Sequence, residues 1–318
     1  MAIYLVTGGA GFIGSHLVHE LVARGEEVRV LDNFSTGKRE NLEAVRDRVT
    51  IHEADITELE KIRPLFAGVD YVAHLAALSS VVRSVEDPVG TNAVNLGGTL
   101  NVLLASRDAG VKRVVSAASA AVYGNNPTLP RRESDAPDPL SPYALTKLAG
   151  EYYCRIFTRL YQLEAVALRF FNIFGPRQDP ESPYTGVLSK FITAYLRGST
   201  PVIFGNGEQS RDFTYVANVV EAVLLACRAP NSAGAPGATL NVGTGESYTL
   251  NQTIALLNRI FGREVVPRYD PPRPGDVLES RADISLARQV LGYEPKVRFE
   301  PGLRETVEWY KRTMNSER

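Results

Sequence analysis

Short apolar runs that alternate with longer segments of helical period constrain the fold of this chain more than any other feature. The runs are IYLVTGG (3–9), EVRVLD (27–32), VTIHEAD (49–55), VDYVAHLA (69–76) and VKRVVSAAS (111–119). Each is too short for a helix, whereas FIGSHLVHELVARG (12–25) after the first run has amphipathic helical spacing. Strands that are apolar on both faces and separated by helices belong to parallel sheets covered by helices on each side. The pattern predicts an α/β fold with a doubly wound parallel sheet.

The pattern loosens in the second half of the chain, where glycine and proline form clusters. These clusters are FGPRQDPESP (174–183), FGNGEQS (204–210) and PPRPGD (271–276). They predict a smaller, loop-rich C-terminal lobe that carries substrate specificity. Two further runs, EAVALRFF (164–171) and TLNVG (239–243), have the composition of additional strands of the sheet. We therefore expect one domain from 1–171, to which about 211–243 return, and a second lobe formed mainly by 172–318.

Composition argues against several classes of partner. The 35 basic and 36 acidic residues are scattered, so no positive field attracts nucleic acid or an anionic membrane. The two cysteines provide no disulfide framework, and no His, Asp or Glu spacing is typical of a metal site. No apolar stretch has the length of a membrane helix, and the N-terminus begins with a strand-like run instead of a signal sequence. We expect a cytoplasmic protein without nucleic-acid, membrane or metal partners.

The loop GGAGFIG between the first strand and the first helix predicts a dinucleotide site. Gly8, Gly11 and Gly14 would let the backbone turn tightly and bring a pyrophosphate to the helix N-terminus, where free N–H groups favour an anion. Asp32 ends the second strand, where its carboxylate accepts from ribose hydroxyls and repels a 2′-phosphate. The sheet is therefore interpreted as Rossmann-type, and NAD is favoured over NADP.

The segment SPYALTK (141–147) places Tyr143 and Lys147 four residues apart, on one face of a helix that Ser141 caps. A tyrosine with a pKa of about 10 is a poor base at neutral pH. A neighbouring ammonium group and a nicotinamide cation both stabilise its phenolate. With Ser119 at the end of the preceding strand, the pair predicts a proton-transfer site.

These motifs resemble the extended short-chain dehydrogenase/reductases that act on nucleotide-linked sugars, and the resemblance covers essentially the whole chain. Other shared segments are HLAA (74–77), RFFNIFGP (169–176), RDFTYV (211–216) and RPGD (273–276). The resemblance implies that Ser119, Tyr143 and Lys147 are the catalytic residues. It also implies a homodimer formed through the tyrosine helix and the helix before it.

The resemblance further implies the residues that hold NAD, with Asp55 and Ile56 near the adenine. The full set is Gly8, Gly11, Phe12, Ile13, Gly14, Asp32, Asn33, Ser35, Thr36, Gly37, Asp55, Ile56, Leu75, Ala76, Ala77, Asn95, Tyr143, Lys147 and Phe170. Because the cofactor is reoxidised within each cycle, NAD is expected to be bound tightly and to stay bound through turnover.

The two residues after Ser119 restrict the reaction. Related 4,6-dehydratases carry an Asp-Glu pair there, and related decarboxylases carry a glutamate at the second position. This chain has Ala120 and Ala121, and methyl groups cannot remove a proton from C5 or protonate a departing hydroxyl. The reaction that remains is oxidation of the sugar followed by its reduction. The pattern of a serine followed by two small residues resembles that of the 4-epimerases.

The resemblance therefore implies interconversion of UDP-galactose and UDP-glucose through a 4-keto sugar. The residues expected to bind the UDP-hexose are Ser79, Ser119, Tyr143, Asn172, Leu188, Phe204, Arg211, Arg273, Asp276 and Ser280. Among them, Arg211 and Arg273 would bind the diphosphate with forked donors, and Phe204 would pack on the uracil. In related epimerases a large aromatic residue at the position of Ser280 excludes an N-acetyl group at C2 of the sugar. Because Ser280 is small, UDP-N-acetylhexosamines are also expected to fit.

Three alternatives remain open at this point. A UDP-glucuronate 4-epimerase would share nearly every motif and would need a cation near the sugar C6, for which Arg83 is a candidate. A 4-reductase would use NADP, against which Asp32 argues. A nucleotide-sensing protein that kept the fold would not need catalytic residues, yet Ser119, Tyr143 and Lys147 are all present.

Overall fold

The computed structural model describes residues 1–179, 186–272 and 278–316. Its strands are β1 (Ile3–Thr7), β2 (Glu27–Asp32), β3 (Thr50–Glu53), β4 (Tyr71–His74), β5 (Arg113–Ser119), β6 (Glu164–Phe170), β7 (Ile173–Phe174), β8 (Val202–Phe204), β9 (Ser210–Arg211), β10 (Thr214–Tyr215), β11 (Thr239–Val242), β12 (Tyr248–Thr249), β13 (Arg268–Asp270) and β14 (Glu279–Ser280).

The α-helices are α1 (Phe12–Ala23), α2 (Leu59–Ile62), α3 (Val81–Glu86), α4 (Pro88–Asn92), α5 (Gly98–Asp108), α6 (Pro142–Tyr161), α7 (Val187–Arg197), α8 (Val216–Arg228), α9 (Leu250–Phe261), α10 (Ser285–Leu291) and α11 (Phe299–Ser316). Segments of 3₁₀ helix lie at Arg39–Arg48, Arg63–Phe66, Ala120–Tyr123 and Asn231–Ala233, and a π-helical turn lies at Ala93–Gly97.

Seven parallel strands form the central sheet in the order β11-β6-β5-β4-β1-β2-β3. All seven apolar runs identified in the sequence contain one of these strands, so the predicted doubly wound Rossmann-type fold is confirmed. The chain leaves β1 towards β2 on one side and later returns to β4 on the other. Ligands bind beyond the carboxyl ends of the strands at such a switch point.

Helices cover both faces of the sheet because its strands are apolar on both sides. In β1, Tyr4 and Val6 belong to one core cluster and Leu5 to another, and all three side chains are fully buried. The first core includes Val18 of α1, together with residues of α8 and α10. The second includes Val102 of α5, together with residues of α6. Side chains that alternate along β1 therefore pack against opposite helical layers.

A separate hydrophobic core lies in the smaller lobe between α7, α9 and α11. Its centre is aromatic: the rings of Phe213 and Phe299 stack with centroids 4.9 Å apart, and Phe174 contacts both edge-on. The presence of a second core agrees with a second lobe, while the domain limits at 171/172 stay a prediction.

No helix within the three described ranges is long and apolar enough to cross a membrane. The same part of the chain contains no group of three or more His, Cys, Asp or Glu side chains arranged to hold a metal ion.

Candidate functional site

A cleft of about 1170 Å³ opens along the carboxyl edge of the sheet at the switch point. The ends of β2, β5 and β6, the segments that directly follow β1 and β4, and two residues in the first half of α6 line the cleft. Residues 172–173 and 177–179, Arg211 and the strand β14 contribute from the smaller lobe. The cleft therefore lies where the sheet and the smaller lobe meet.

Two positions in the glycine loop after β1 require glycine because the backbone packs closely around them. Gly8 has a φ of +69°, and a Cβ on it would lie 2.7 Å from the backbone nitrogen of Ala76. A Cβ on Gly14 would lie 2.1 Å from the carbonyl oxygen of Gly8. Helix α1 begins immediately after Gly11, and no side chain in the described residues caps it. The loop thus presents a bare helix N-terminus to the cleft, which fits the pyrophosphate of a dinucleotide.

Asp32 is held at the adenosine end of the cleft by two backbone donors. Its Oδ2 accepts from Ala10 N at 2.9 Å and its Oδ1 from Phe34 N at 2.8 Å. Burial raises the pKa of Asp32 above its ordinary value, and these two bonds act in the opposite direction. A Cβ on Gly37 would lie 2.9 Å from Oδ2, so the segment after β2 packs tightly against the carboxylate. Asp32 is therefore oriented towards the position that a cofactor ribose occupies in this fold.

Ser119, Tyr143 and Lys147 all line the cleft. Helix α6 starts at Pro142 because the Ser141 hydroxyl accepts from Ala144 N at 3.1 Å, which places Tyr143 in the first turn. The Lys147 ammonium donates to the carbonyl oxygen of Ala117 at 2.8 Å. The predicted trio therefore comes together at the junction of β5 and α6.

The electrostatics of the trio depend on burial. Burial raises the pKa of the Tyr143 phenol, while its hydrogen bond with Ser119 acts in the opposite direction. Burial lowers the pKa of the Lys147 ammonium to about 8. Without a further positive charge the phenol stays protonated at neutral pH. A nicotinamide ring in its oxidised form would supply that charge as well as the hydride acceptor.

Ala120 and Ala121 also line the cleft, in the 3₁₀ segment after β5. The Ser119 hydroxyl accepts from Ala121 N at 3.1 Å, which fixes the turn. Their methyl groups thus lie beside the trio, where they provide no acid or base.

Most of the predicted site residues meet in this cleft. Those that line it are Gly8, Gly11, Phe12, Ile13, Gly14, Asp32, Asn33, Ser35, Thr36, Gly37, Asp55, Ile56, Leu75, Ala76, Ala77, Ser79, Ser119, Tyr143, Lys147, Phe170, Asn172, Arg211 and Ser280. Leu188 and Phe204 line an adjoining cavity of about 250 Å³ that shares Asn172 and Arg211 with the cleft. Arg273 and Asp276 lie outside the described residues.

Asn95 is not among the residues that line the cleft, and its predicted contact with the cofactor stays a prediction. Its carboxamide is buried, accepting from Leu78 N at 2.8 Å and donating to Leu78 O at 3.0 Å. Its Nδ2 also lies 3.3 Å from Thr146 Oγ1 on α6. Asn95 therefore ties the segment after β4, which does line the cleft, to the tyrosine helix.

His74 also helps to hold the segment after β4, through hydrogen bonds with Thr7 and Thr99. Thr99 donates its hydroxyl proton to Asn95 O at 2.5 Å, so it accepts from His74 Nε2 at 2.9 Å. The other ring nitrogen, Nδ1, then accepts from Thr7 Oγ1 at 2.8 Å, and Thr7 in turn accepts from Ala76 N at 3.2 Å. Burial, reinforced by the charge of Lys147, lowers the pKa of His74 to about 3, so the ring is neutral and every polar atom has a partner.

Sequence reasoning missed two basic residues that line the cleft, Arg131 and Arg177. Arg131 reaches it because its backbone pairs with the segment after β14, through Arg131 N to Arg281 O at 2.8 Å and Asp283 N to Arg131 O at 2.8 Å. Arg177 directly follows the RFFNIFGP motif, and that adjacency was the available signal.

Comparison with known proteins places the chain in a family. Residues 4–243 match the model of the NAD dependent epimerase/dehydratase family. A UDP-glucose 4-epimerase of Mycolicibacterium smegmatis is 40% identical over 316 residues, covering 96% of this chain and 98% of that protein.

Two solved structures are similar over nearly their full length. One is a UDP-glucose 4-epimerase of Thermotoga maritima with UDP-glucose, with a TM-score of 0.92, 41% identity and coverage of 98% of this chain and 99% of that one. The other is a UDP-N-acetylglucosamine 4-epimerase of Methanobrevibacter ruminantium in complex with UDP-N-acetylmuramic acid, with a TM-score of 0.93, 40% identity and the same coverage. With the glycine loop, Asp32 and the Ser-Tyr-Lys trio in one cleft, the chain belongs to the NAD dependent epimerase/dehydratase family of extended short-chain dehydrogenase/reductases, and its cofactor is NAD.

Proposed function

We propose that this protein is a UDP-sugar 4-epimerase that interconverts UDP-galactose and UDP-glucose. The observation that carries the proposal is the juxtaposition of Ser119, Tyr143 and Lys147 with the methyl groups of Ala120 and Ala121 in one cleft. The site offers a base, a hydrogen-bond donor and a cofactor position, and the two positions after Ser119 carry methyl groups in place of the acids that elimination would use. The two similar structures named above are both 4-epimerases, which supports the same reaction class.

In the proposed mechanism, the Tyr143 phenolate removes the proton from the sugar 4-hydroxyl while Ser119 donates a hydrogen bond to the same oxygen. NAD held by the glycine loop and Asp32 would supply the acceptor for the C4 hydride and the source of its return to the opposite face of the 4-keto sugar. Tyr143 then returns its proton to the oxygen. Lys147 keeps the tyrosine ionised, because its ammonium is fixed on the Ala117 carbonyl beside the same helix turn. No net oxidation occurs, so NAD stays bound.

Turning the 4-keto sugar over requires a firm hold on the nucleotide and a loose hold on the hexose. The proposed nucleotide contacts, Asn172, Phe204 and Arg211, belong to the smaller lobe and line the adjoining cavity of about 250 Å³. Ala120 and Ala121, which line the cleft directly after Ser119, are small. The distribution of large and small residues thus fits rotation about the bond to the diphosphate.

A second substrate class is supported by Ser280. This residue ends β14, which pairs with β9 so that Ser280 lies opposite Arg211, and both side chains line the cleft. A hydroxymethyl group at this position leaves room for an N-acetyl group at C2. UDP-N-acetylglucosamine and UDP-N-acetylgalactosamine are therefore proposed as additional substrates. UDP-glucuronate remains the alternative, with Arg83, which also lines the cleft, as the cation facing C6.

We also propose a homodimer formed through α6 and the run of helices before it in the chain, which begins with α3 and α4. Helix α6 carries an exposed apolar stripe, and the two short helices that pack against it expose valines. These side chains, between 41% and 79% exposed, are Val85, Val89, Leu145, Tyr152, Ile156 and Leu160. Exposed apolar side chains on helices that pack together are typical of an interface.

The direct test is to incubate the purified protein with UDP-galactose without added NAD and to separate the UDP-sugars formed. UDP-glucose should appear with the wild type and be nearly absent with Tyr143→Phe. Tyr161→Phe, which alters an exposed tyrosine at the far end of α6, is the matched control and should keep full activity. If UDP-galactose, the N-acetylated substrates and UDP-glucuronate all fail to yield a C4 epimer, with and without added NAD, the proposal is wrong.

A further inference from the structure

Residues 176–179 of the smaller lobe lie at the cleft and contact α1 and the segment after β2. Arg177 Nη2 lies 3.0 Å from His16 Nδ1, and Arg177 Nη1 donates to Asn41 O at 3.3 Å. His16 Nε2 lies 2.8 Å from Pro176 O. Lys38 and Asp179 form an ion pair at 3.4 Å. These contacts join parts of the chain that lie more than 130 residues apart in sequence.

The hydrogen-bond pattern determines which ring nitrogen of His16 carries the proton. The Pro176 carbonyl can only accept, so His16 Nε2 carries a proton, and Nδ1 is left to accept from the Arg177 guanidinium. The ring of His16 also lies edge-on to Phe12, the first residue of α1, with centroids 6.0 Å apart. His16 therefore positions Arg177 one helical turn from the uncapped N-terminus of α1.

Arg177 adopts a backbone conformation that favours glycine. Its φ is +65°, in the left-handed region that costs a residue with a Cβ roughly 1 kcal/mol or more. Glycine would adopt this backbone conformation without strain. The turn itself therefore does not explain why an arginine stands at this position. A strained residue that lines a ligand cleft is a candidate for a role in function.

The charge of Arg177 is also unbalanced. The side chain is half-buried and lines the cleft, yet it forms no ion pair with any carboxylate in the described ranges. Its contacts there are to a carbonyl oxygen and a neutral imidazole, which leave its positive charge uncompensated. A half-buried guanidinium without a counter-ion suits an anionic ligand with forked acceptors.

We propose that Arg177, positioned by His16, binds the pyrophosphate of NAD and retains the cofactor between turnovers. The bare N-terminus of α1 supplies backbone donors on one side of the diphosphate, and the guanidinium supplies a cation from the smaller lobe on the other. Because Arg177 belongs to the specificity lobe, the cofactor itself joins the two lobes. This role concerns cofactor retention and does not depend on which sugar the enzyme accepts.

The test compares Arg177→Gly, Arg177→Lys and wild type as purified holoenzymes. NAD released by acid denaturation is measured per chain, and exchange of bound NAD for isotopically labelled NAD is followed by mass spectrometry. Glycine removes the guanidinium and suits the left-handed backbone, so the NAD-free variant should melt no lower than NAD-free wild type. We expect exchange to be about ten- to a hundredfold faster in Arg177→Gly, with an intermediate rate in Arg177→Lys.

Arg29→Ala is the matched control. Arg29 is another half-buried arginine that donates to backbone carbonyls, Leu65 O at 3.3 Å and Ala67 O at 2.8 Å, but it does not line the cleft. Its NAD content and exchange rate should equal those of wild type. NAD content and exchange in Arg177→Gly that match wild type would overturn the proposal. Faster exchange of the same size in Arg29→Ala would also overturn it, because the effect would then follow from general destabilisation.

Discussion

The ammonium nitrogen of Lys147 donates to the backbone carbonyl oxygen of Ala117 at 2.8 Å. Ala117 lies two residues before Ser119 on β5. The bond therefore fixes the position of α6 along its own axis relative to the end of β5. The same nitrogen lies 6.0 Å from the centre of the Tyr143 ring, one helical turn away. The charge that favours the phenolate is therefore fixed in place by the sheet.

Replacing Lys147 with methionine should lower kcat by about a hundredfold or more, because the phenolate loses its nearest cation. Removing that cation raises the pKa of Tyr143, so the residual rate should rise with pH beyond the range where the wild-type rate is flat. The measurement is kcat against pH. Lys190→Met, at an exposed lysine of α7, is the control. An unchanged pH profile in Lys147→Met would show that the ammonium does not act on Tyr143.

Replacing Ser280 with tyrosine should discriminate between the two proposed substrate classes. A large ring at this position fills the space for the C2 substituent, so turnover of UDP-N-acetylglucosamine should fall at least about tenfold more than turnover of UDP-galactose. The measurement is kcat/KM for both substrates. Ser280→Ala, which keeps the small volume, should change their ratio little. An equal effect of tyrosine on both substrates would place the C2 substituent elsewhere.

The buried ion pair between Arg169 on β6 and Glu151 on α6 anchors the tyrosine helix from behind. It is bidentate, with distances of 2.9 and 2.8 Å, and both side chains are nearly inaccessible. Glu151→Ala would leave the arginine buried without its partner and should cost about 3–5 kcal/mol of unfolding free energy in urea titrations. Glu20→Ala breaks the exposed pair with Arg24 and should cost less than about 1 kcal/mol. Similar losses of unfolding free energy in Glu151→Ala and Glu20→Ala would contradict a special role of the buried pair in stability.

His74 should make stability fall as the pH is lowered. Burial holds its folded pKa at about 3, below the unfolded value of about 6.5, so the unfolded chain binds the additional proton. That difference lowers the unfolding free energy progressively below pH 6.5, by about 2 kcal/mol at pH 5. His74→Gln removes this contribution, so its deficit relative to wild type should shrink by that amount between pH 7.5 and pH 5. A constant deficit would mean that the ring is protonated in the folded state.

The proposed dimer predicts that a charge on α6 separates the protomers. Ile156→Asp should reduce the mass measured by light scattering from that of two chains to that of one, because a carboxylate would be buried in an apolar interface. Val266→Asp alters another exposed valine in the smaller lobe, 78% exposed, and should leave the mass unchanged. A wild-type protein with the mass of one chain would exclude the dimer at that concentration.

The sequence by itself determined the elements whose causes are local. Two-faced apolar runs specify buried parallel strands, and the spacing of Gly8, Gly11 and Gly14 specifies a tight strand-to-helix turn, because both depend on neighbours a few residues away. The four-residue interval between Tyr143 and Lys147 specifies a shared helix face for the same reason.

Only the tertiary structure decided which polar groups face the cleft and which are used to hold the fold together. The carboxamide of Asn95 has the donors and acceptor to bind a ligand. In the structure it instead hydrogen-bonds the backbone of Leu78 and helps to hold the segment after β4 in place. The only local signal for Arg177 is its place directly after the RFFNIFGP motif, and the position of its side chain depends on His16, 161 residues earlier in the chain. Contacts at such separations are set by how the two lobes pack against each other, and neither periodicity nor motif spacing encodes that arrangement.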